Sequence, residues 1–254
     1  MNRLRTIRNR RHLRLDLENA DEAWSAVHRG ARGVALRFRD GTTITGTAWD
    51  DVVGIYFEIF VERCYTPPWF YRPAKGDAVL DVGANIGVFT LFLNRAAPGI
   101  RVNAYEPHPL TFATLQANMS CNAIGNGVVA HNTAIGRGEV VRFARATGPD
   151  SGHQAATATG DGDAIPCATL EAAASAVSGP IALVKVDTEG AELEILEPVP
   201  ASVWARVARV VVEYHDLAKR DAVVRCLAGH GYTTRVIPAR GYEHHLGLVY
   251  AWRA

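Results

Sequence analysis

The sequence lacks a long hydrophobic run. Its longest apolar stretch, residues 79–93, is interrupted by Asp81 and Asn85, whereas a membrane span needs roughly 18 uninterrupted apolar residues. Residues 1–16 carry the positive charge of a signal peptide, but no apolar segment follows them. The sequence therefore predicts a cytoplasmic protein that has no membrane partner.

Cysteine is also scarce, and its spacing excludes two kinds of site. The four cysteines form no C-x-x-C pair: Cys64, Cys121, Cys167 and Cys226. They show neither the spacing of a zinc cluster nor the density of a disulfide-stabilised scaffold. We therefore predict that all four are reduced residues of the core.

An excess of charge of one sign is missing as well. The 254 residues include 27 Lys and Arg against 26 Asp and Glu, a formal net charge of +1. The strong basic field of a general nucleic-acid binder is therefore absent. Six arginines nevertheless lie within residues 1–14. They are typical of a solvated helix face, with a local site for an acidic substrate or RNA as the alternative.

The length and composition are those of a globular chain with one large domain and an extension, because hydrophobic residues make up 48% and charged residues 21%. Residues 1–50 combine a helical pattern over 17–29 with two short alternating stretches joined at Asp40-Gly41. We predict that residues 1–50 are an N-terminal appendage and that residues 51–254 form the main domain.

From Val79 onward, apolar strands alternate with amphipathic helices, which is typical of an α/β fold whose parallel sheet is covered on both faces. Thr111 is available to cap the helix that follows the second of these strands. The last two strand patterns, 232–239 and 246–254, predict an antiparallel pair with a turn around Gly241. Residues 147–163 are polar and aperiodic, which predicts a loop that could cover a substrate.

The turn from Asp81 to Gly87 joins the first of these strands to its helix. Glycines there allow a sharp turn and close approach of a ligand to free N–H groups of the helix. A dinucleotide site requires G-x-G-x-x-G, but Asn85 stands at the second glycine and Asp81 would oppose a phosphate. These departures favour a cationic ligand with an amino-acid end and a ribose over NAD.

Glu106 ends the next strand, about 20 residues after the glycine turn. An acidic side chain at this spacing reaches ribose hydroxyls in sheets of this class. The alternative is a turn that only packs tightly and binds nothing. Because the turn, the acidic residue and the strand order agree, we expect a ligand with a ribose at this edge.

Several segments together resemble the FkbM family of methyltransferases. They are DVGANIGVFTLFL, YEPHP, Asn118 with Asn122, AIGRGE, LVKVDTEGAELEILE, VVVEYHD and the lead-in FEIFVERCY, which contains Glu58 and Tyr65. The resemblance covers roughly residues 50–216, and K-x-D-x-E-G-A-E is its most specific part.

The resemblance implies a class I, Rossmann-like sheet of seven strands, mostly parallel with one antiparallel strand. It also implies S-adenosyl-L-methionine as cofactor, with S-adenosyl-L-homocysteine as product, and O-methylation of a small-molecule hydroxyl on a secondary metabolite or a sugar. The cofactor is then expected at the glycine turn and the following strand ends: Asp81, Gly83, Ala84, Asn85, Gly87, Glu106, Pro107 and Asn132.

Charged residues follow two later strands and are our candidates for catalysis. Lys185, Asp187 and Glu189 alternate along one strand, so an extended chain would place their side chains on one side. Glu213 and His215 repeat this arrangement on the next strand. A carboxylate or imidazole here could take the proton of an acceptor hydroxyl. The alternative is an internal ion pair that only orders the strand end, and an ordinary structural role is open for His215.

Three other possibilities remain open from the sequence. Asp187, Glu213 and His215 could hold a divalent metal, although no spacing rule selects them and we expect metal-free transfer. An RNA or nucleobase methyltransferase would use the arginines of residues 1–14, although the balanced net charge makes a nucleic-acid partner unexpected. A cofactor-binding scaffold without catalysis is the non-enzyme alternative. A homo-oligomer is compatible with all of these.

Overall fold

The computed structural model describes residues 3–47, 50–122, 124–142, 164–239 and 246–253, with side chains from residue 9 onward. The α-helices are α1 Arg3–Asp16, α2 Ala20–Arg29, α3 Val52–Tyr56, α4 Val88–Ala96, α5 Pro109–Cys121, α6 Leu170–Ser175, α7 Glu192–Leu196, α8 Ala201–Trp204 and α9 Leu217–Gly229. A π-helical turn, Phe57–Val61, continues α3. The loop predicted over 147–163 and the turn predicted at Gly241 lie outside the described residues.

The strands are β1 Leu36–Arg37, β2 Thr43–Ile44, β3 Ala78–Val82, β4 Arg101–Tyr105, β5 Val128–His131, β6 Ala134–Ile135, β7 Val140–Arg142, β8 Ala164–Ala168, β9 Leu183–Val186, β10 Arg209–Tyr214, β11 Thr233–Pro238 and β12 Gly247–Trp252. Seven of them form the main sheet in the order β11-β12-β10-β9-β3-β4-β5. Neighbours from β10 to β5 are parallel, and β12 is antiparallel to β10 and β11. The predicted fold class is confirmed.

Apolar residues on alternate positions of the central strands build a core on each face of the sheet. On β3, Val79 belongs to one core, whereas Leu80 and Val82 belong to the other. The same alternation applies to β9, where Leu183 faces the first core and Val184 the second. The central strands β3 and β9 are buried along their whole length because helices cover both faces of the sheet. The first core also contains α4.

The N-terminal segment packs on the face of the sheet that carries α4. Leu13, Leu17 and Phe38 are at most 1% exposed and belong to the same core as Phe89 and Leu91 of α4. The predicted short strands are present as β1 and β2, which pair antiparallel with Leu36 opposite Ile44. The segment therefore shares the core on one side of the main sheet.

Some local predictions are wrong. The side chain of His108, rather than Thr111, caps α5, because Pro109 starts the helix and the Thr111 N–H lies within reach of His108 Nδ1. Extended structure in the fourth strand pattern ends at Val186. Cys121 is exposed, so the expectation that all cysteines are core residues fails for it. Within the described ranges, no helix is long and apolar enough to cross a bilayer.

Candidate active site

The glycine turn after β3 is shaped by its contact with the chain that follows β9. Gly83 has φ of 75°, and a Cβ there would lie 1.7 Å from the carbonyl oxygen of Asp187. The N–H groups of Gly83 and Ala84 both donate to the carbonyl oxygen of Tyr105, at 3.0 and 2.9 Å. Asn85 and Gly87 also have positive φ, 50° and 85°. Gly83 is therefore required by the adjacent backbone itself, whether or not a ligand is bound.

Asp81 and Lys185 form a buried ion pair beneath this turn. Both side chains are at most 4% exposed, and Lys185 Nζ lies 3.3 Å from Asp81 Oδ1. Thr90 donates to the other oxygen of Asp81 at 2.8 Å, and Lys185 donates to the carbonyl of Gly83 at 2.5 Å. Burial lowers the pKa of the Lys185 ammonium, but the charges of Asp81 and Asp187 outweigh it and the net shift is upward. The pair thus stabilises the turn from inside the sheet.

Glu106 connects the end of β4 to the glycine turn. Its two carboxylate oxygens accept hydrogen bonds from the N–H of Asn85 at 3.0 Å and of His108 at 2.8 Å. Burial raises the pKa of Glu106 to about 7, although both bonds oppose that shift. Each oxygen has a second lone pair, so these contacts leave acceptor capacity for a ligand. The structure therefore brings Glu106 against the turn, as predicted.

Pro107 and Asn132 belong to the loops that support Glu106. The Asn132 amide donates to the carbonyls of Glu106 and Pro107 at 3.0 and 2.9 Å. The Glu106 N–H donates to the carbonyl of His131 at 3.1 Å. Asn132 therefore holds the loop after β4 in place beside the end of β5.

Asp187 and Glu213 meet at the carboxyl ends of β9 and β10. Tyr65 lies between them, with its hydroxyl 2.9 Å from Asp187 Oδ2 and 3.0 Å from Glu213 Oε2. Lys185 Nζ is 3.5 Å from the same oxygen of Asp187. Burial, followed by the charge of Asp187, raises the pKa of Glu213 to about 8. The two predicted carboxylates are thus brought together as neighbours.

Glu189 and His215 form a separate group at the rim of this site. Glu189 has φ of 55°, so the alternation of side chains does not continue to it, and its side chain is 54% exposed. His215 lies 3.3 Å from Glu189 and 3.5 Å from Glu192. Burial lowers the pKa of His215, but these carboxylates outweigh it and raise the pKa to about 9. An imidazole that is protonated at neutral pH is poorly suited to act as a base.

Glu192 shapes the loop after β9 and was not among the predicted site residues. Its carboxylate accepts hydrogen bonds from the N–H groups of Thr188 and Gly190 at 3.2 and 2.8 Å, and the side chain is 1% exposed. Its place as the last acidic residue of K-x-D-x-E-G-A-E is the signal that could have found it.

Tyr65, Glu58 and Asn118 were noted in the sequence only as part of a resemblance, and the structure places all three at or behind the site. Glu58, in the π-helical turn, lines the same cavity as Asp187. Burial and the charge of Asp187 raise the pKa of Glu58 to about 7. Asn118 is fully buried and its amide donates to the carbonyls of Ile86 and Thr45 at 2.8 and 2.9 Å. It therefore connects the glycine turn to the N-terminal segment.

One cavity contains the glycine turn and the carboxylate pair, whereas the predicted cofactor residues Glu106, Pro107 and Asn132 are not part of its lining. The side chains and backbone that line it include Gly83, Ala84 and Asn85 from the turn, together with Lys185, Asp187, Glu189 and Glu213. A larger and more open groove lies at the opposite end of the sheet, near Ala78 and Arg101. Ligands of open α/β sheets bind at the carboxyl ends of strands. We therefore assign the candidate site to the first cavity, although the groove is larger.

The three residues considered for a metal are close to one another. One ligand atom each from Asp187, Glu213 and His215 lies within 4.8 Å of the other two. Tyr65 occupies the space between the carboxylates, and His215 is engaged by Glu189 and Glu192. The raised pKa of His215 opposes the neutral form that a metal ligand needs. The donor set is therefore a poor fit to a divalent cation.

Comparison with known proteins agrees with this geometry. The family model described as "Methyltransferase FkbM domain" matches residues 81–243. The chain is 31% identical over 238 residues to the 31-O-demethyl-FK506 methyltransferase FkbM of Streptomyces tacrolimicus, covering 78% of this chain and 88% of that protein. It is 30% identical to Methyltransferase 1 of Beauveria bassiana, covering 65% and 74% of the two chains.

A solved structure supports the fold. The methyltransferase FkbM of Methylobacillus flagellatus KT superposes with a TM-score of 0.53 at 16% sequence identity, over 72% of this chain and 45% of that one. At this identity the likeness concerns the fold alone. The family model spans more than half of the sequence and includes both the glycine turn and the carboxylate pair. The protein therefore belongs to the FkbM methyltransferase family.

Proposed function

We propose that this protein transfers a methyl group from S-adenosyl-L-methionine to a hydroxyl oxygen of a small molecule, a secondary metabolite or a sugar. The observation that carries the proposal is the meeting of Asp187 and Glu213 in one cavity with the glycine turn. A hydroxyl acceptor needs a group that takes its proton, and a carboxylate meets that need. The Streptomyces relative is a 31-O-demethyl-FK506 methyltransferase, a name that indicates methylation of an oxygen and supports the proposal.

The residues of the cavity fit a cofactor that carries a positive sulfonium. Acidic residues from four parts of the chain line the cavity: Asp50, Asp51, Glu58, Asp187, Glu189 and Glu213. Lys185, one of the cationic residues in the same lining, is already paired with Asp81. Even with Glu58 and Glu213 protonated, the other four acidic residues of the lining outnumber Lys185 and Arg32, so the electrostatic environment favours a cation. Glu106 beside the turn offers acceptor oxygens to hydroxyl groups.

Chemistry at the acceptor requires positioning and one proton transfer. When bound, the cofactor would supply an electrophilic methyl group, whose carbon bonds to the acceptor oxygen as its bond to the cofactor sulfur breaks in line. Asp187 would accept the hydroxyl proton on its carboxylate, since Lys185 stabilises its ionised form at 3.5 Å. Glu213 would hold the acceptor or relay its proton. The walls of the cavity orient the hydroxyl toward this pair.

We also propose that residues 1–50 help to form the acceptor pocket of a methyltransferase domain that spans residues 51–254. Arg32 and Asp50 contribute to the cavity lining from this segment. Asn118 holds the segment beside the turn through Thr45.

The alternative of an RNA methyltransferase relies on the arginines of residues 1–14. Two of them are partly neutralised, because Arg10 and Arg14 both pair with Asp21, at 3.3 and 3.1 Å.

Calorimetry with S-adenosyl-L-homocysteine tests the cofactor proposal without knowledge of the acceptor. We expect binding to the wild-type protein and binding to Glu106→Ala weakened by about 1–3 kcal/mol, the cost of losing hydrogen-bond acceptors at a buried site. NAD is the control ligand. Binding of NAD with no response to S-adenosyl-L-homocysteine would contradict the proposal.

A panel of acceptors then tests the reaction. Small polyols, sugars and hydroxylated polyketides are incubated with labelled S-adenosyl-L-methionine, and mass spectrometry locates the added methyl. We expect an O-methyl ether. Transfer confined to nitrogen or carbon would refute O-methylation. Methylation of RNA that weakens steeply with salt would favour the nucleic-acid alternative. Tight cofactor binding with no turnover across the panel would favour the scaffold.

A further inference from the structure

The hydroxyl of Tyr65 contacts two carboxyl groups, and it cannot donate a hydrogen bond to both. Its oxygen lies 2.9 Å from Asp187 Oδ2 and 3.0 Å from Glu213 Oε2. A tyrosine hydroxyl has one hydrogen to donate, whereas its oxygen can also accept. If both carboxylates were ionised, one of them would face a lone pair at hydrogen-bond distance. The arrangement is satisfied when one carboxyl is protonated and donates to Tyr65, which donates to the other.

The surrounding charges determine which carboxylate is ionised. Lys185 Nζ lies 3.5 Å from Asp187 Oδ2, so a fixed positive charge stabilises the Asp187 anion. His215 also lies within 4.8 Å of Glu213, but it is already engaged with Glu189 and Glu192 at 3.3 and 3.5 Å. Glu213 is therefore the member of the pair that carries the proton.

Tyr65 itself is held firmly in this position. The residue is 8% exposed, and its ring packs edge-on against Phe89 of α4 with centroids 5.2 Å apart. The Lys185 ammonium lies 5.1 Å from the ring centroid on a cation–π contact. The hydroxyl is thus aimed between the two strand ends by packing from another part of the fold.

We propose that Tyr65 is a positioning residue that makes Asp187 and Glu213 hold one proton between them, with Asp187 ionised and Glu213 neutral. The catalytic meaning of this arrangement rests on the proposed function: Asp187 is then free to accept the proton of the acceptor hydroxyl. Glu213 in its neutral form can donate a hydrogen bond. The two carboxyls therefore have different roles although they are neighbours.

Other titratable groups also act on the pair and enter the test. They are Glu58 of the π-helical turn, Cys64, Lys185, His215 and Tyr250. Glu58 and Asp187 favour the neutral form of Glu213, whereas His215 favours the ionised form. A hydrogen bond donated by Tyr65 to Glu213 would also favour the ionised form, whereas a Tyr65 that donates to Asp187 and accepts from Glu213 favours the neutral form, so the direction of the shift in Tyr65→Phe distinguishes the two arrangements. Since Tyr65→Phe removes one oxygen and leaves these groups in place, its effect reports on the hydroxyl.

The test is a pH titration of the carboxyl groups of the protein. It is monitored by ¹³C NMR on protein labelled in the Glu and Asp side chains. The Glu213 and Asp187 signals are identified by their loss in Glu213→Gln and Asp187→Asn. In the wild type we expect Glu213 to be the member of the pair that titrates near pH 8. If both signals titrate below pH 6, the shared proton does not exist and the proposal is overturned. This measurement needs no altered Tyr65.

Tyr65→Phe then assigns the effect to the hydroxyl. Loss of the hydroxyl removes two hydrogen bonds from the singly protonated pair but only one from the doubly ionised pair. The protonated form is therefore weakened more, and we expect the Glu213 midpoint to fall by about one pH unit. Tyr71→Phe is the matched control, because Tyr71 is also buried and donates to a carboxylate, Asp77, at 2.8 Å. It should leave the midpoint unchanged. An unchanged or higher midpoint in Tyr65→Phe would overturn the proposal.

These titrations use neither cofactor nor acceptor, so they succeed or fail independently of the proposed methyl transfer. Once an acceptor is identified, the pH profile of single-turnover methyl transfer in Tyr65→Phe should shift by the same amount as the Glu213 midpoint. A uniform loss of rate with an unshifted profile would reduce Tyr65 to a structural role.

Discussion

Lys185 and Asp81 lie directly opposite each other on the neighbouring parallel strands β9 and β3, with 3.3 Å between the ammonium and a carboxylate oxygen. The same ammonium donates to the carbonyl of Gly83 and lies 3.5 Å from Asp187. One buried cation therefore connects the sheet register, the glycine turn and the first carboxylate of the site. Its position explains why a charge is retained in an otherwise apolar strand.

Lys185→Met should destabilise the fold by about 3–5 kcal/mol, because it leaves Asp81 buried without its counter-ion. Urea unfolding measures this cost. Lys185→Met combined with Asp81→Asn should lose much less than the sum of the two single changes, since no uncompensated charge remains. Additive losses would show that the two side chains act independently.

Gly83→Ala should lower stability and abolish binding of S-adenosyl-L-homocysteine, because the added Cβ would lie 1.7 Å from the Asp187 carbonyl oxygen. The matched control is Gly231→Ala. Gly231 has a similar φ of 83°, and a Cβ there meets nothing within 4 Å. The control reports only backbone strain, of order 1 kcal/mol. Thermal melts and calorimetry distinguish the two, and equal effects would refute the steric explanation.

Asp187→Asn should lower single-turnover methyl transfer by about 10²-fold or more, the usual scale for general acid–base catalysis, whereas Glu213→Gln should lower it less, because glutamine is neutral and can still donate a hydrogen bond. The loss in Asp187→Asn should be accompanied by weaker cofactor binding, because the Asp187 carboxylate lies 3.5 Å from the Lys185 ammonium, which donates to the carbonyl of Gly83 in the turn. Glu213→Gln should retain cofactor affinity. Glu197→Gln is the control, since Glu197 forms an exposed pair with Arg137. Rates within about threefold of wild type for both would leave catalysis to positioning alone.

Stability should fall as the pH rises from about 5 to 9. The pKa values of Glu58 and Glu106 are raised to about 7 and that of Glu213 to about 8. The unfolded chain releases these protons near its ordinary carboxyl pKa of 4.5, so the folded state binds more protons across this window. His215, with its pKa raised to about 9, acts in the same direction above its ordinary 6.5.

Thermal melts at closely spaced pH values check this dependence. For a chain of this size, 1 kcal/mol corresponds to roughly 2–4 °C in melting temperature. Glu213→Gln should make the decline shallower, because glutamine is neutral at every pH. Burial lowers the pKa of His108 and His131, which opposes the decline near pH 6. An equally steep decline in wild type and Glu213→Gln would therefore show that Glu213 does not contribute to it.

Local patterns predict much of the fold. The alternation of apolar strands and amphipathic helices predicts β3, α4 and β4, because side-chain direction within an element depends only on its period. Turn glycines predict the bend after β3, and the closing strands β11 and β12 pair antiparallel as expected. The pattern is weaker where the chain leaves regular structure. The left-handed backbone at Glu189 ends the alternation of side chains that the sequence pattern predicts to continue from Lys185 through Asp187.

The class of fold, the glycine turn and the set of charged residues that follow two strands can therefore be predicted from local sequence patterns. Which of these charged residues meet depends on the packing of the whole chain. Tyr65 contacts Asp187 and Glu213 across 122 and 148 residues of chain, and Asn118 contacts Thr45 across 73. Contacts between residues so far apart in the chain depend on strand register and on helix packing against the sheet, and a local sequence pattern contains no information about either. For this reason the two carboxylates could be predicted, whereas the tyrosine between them could not.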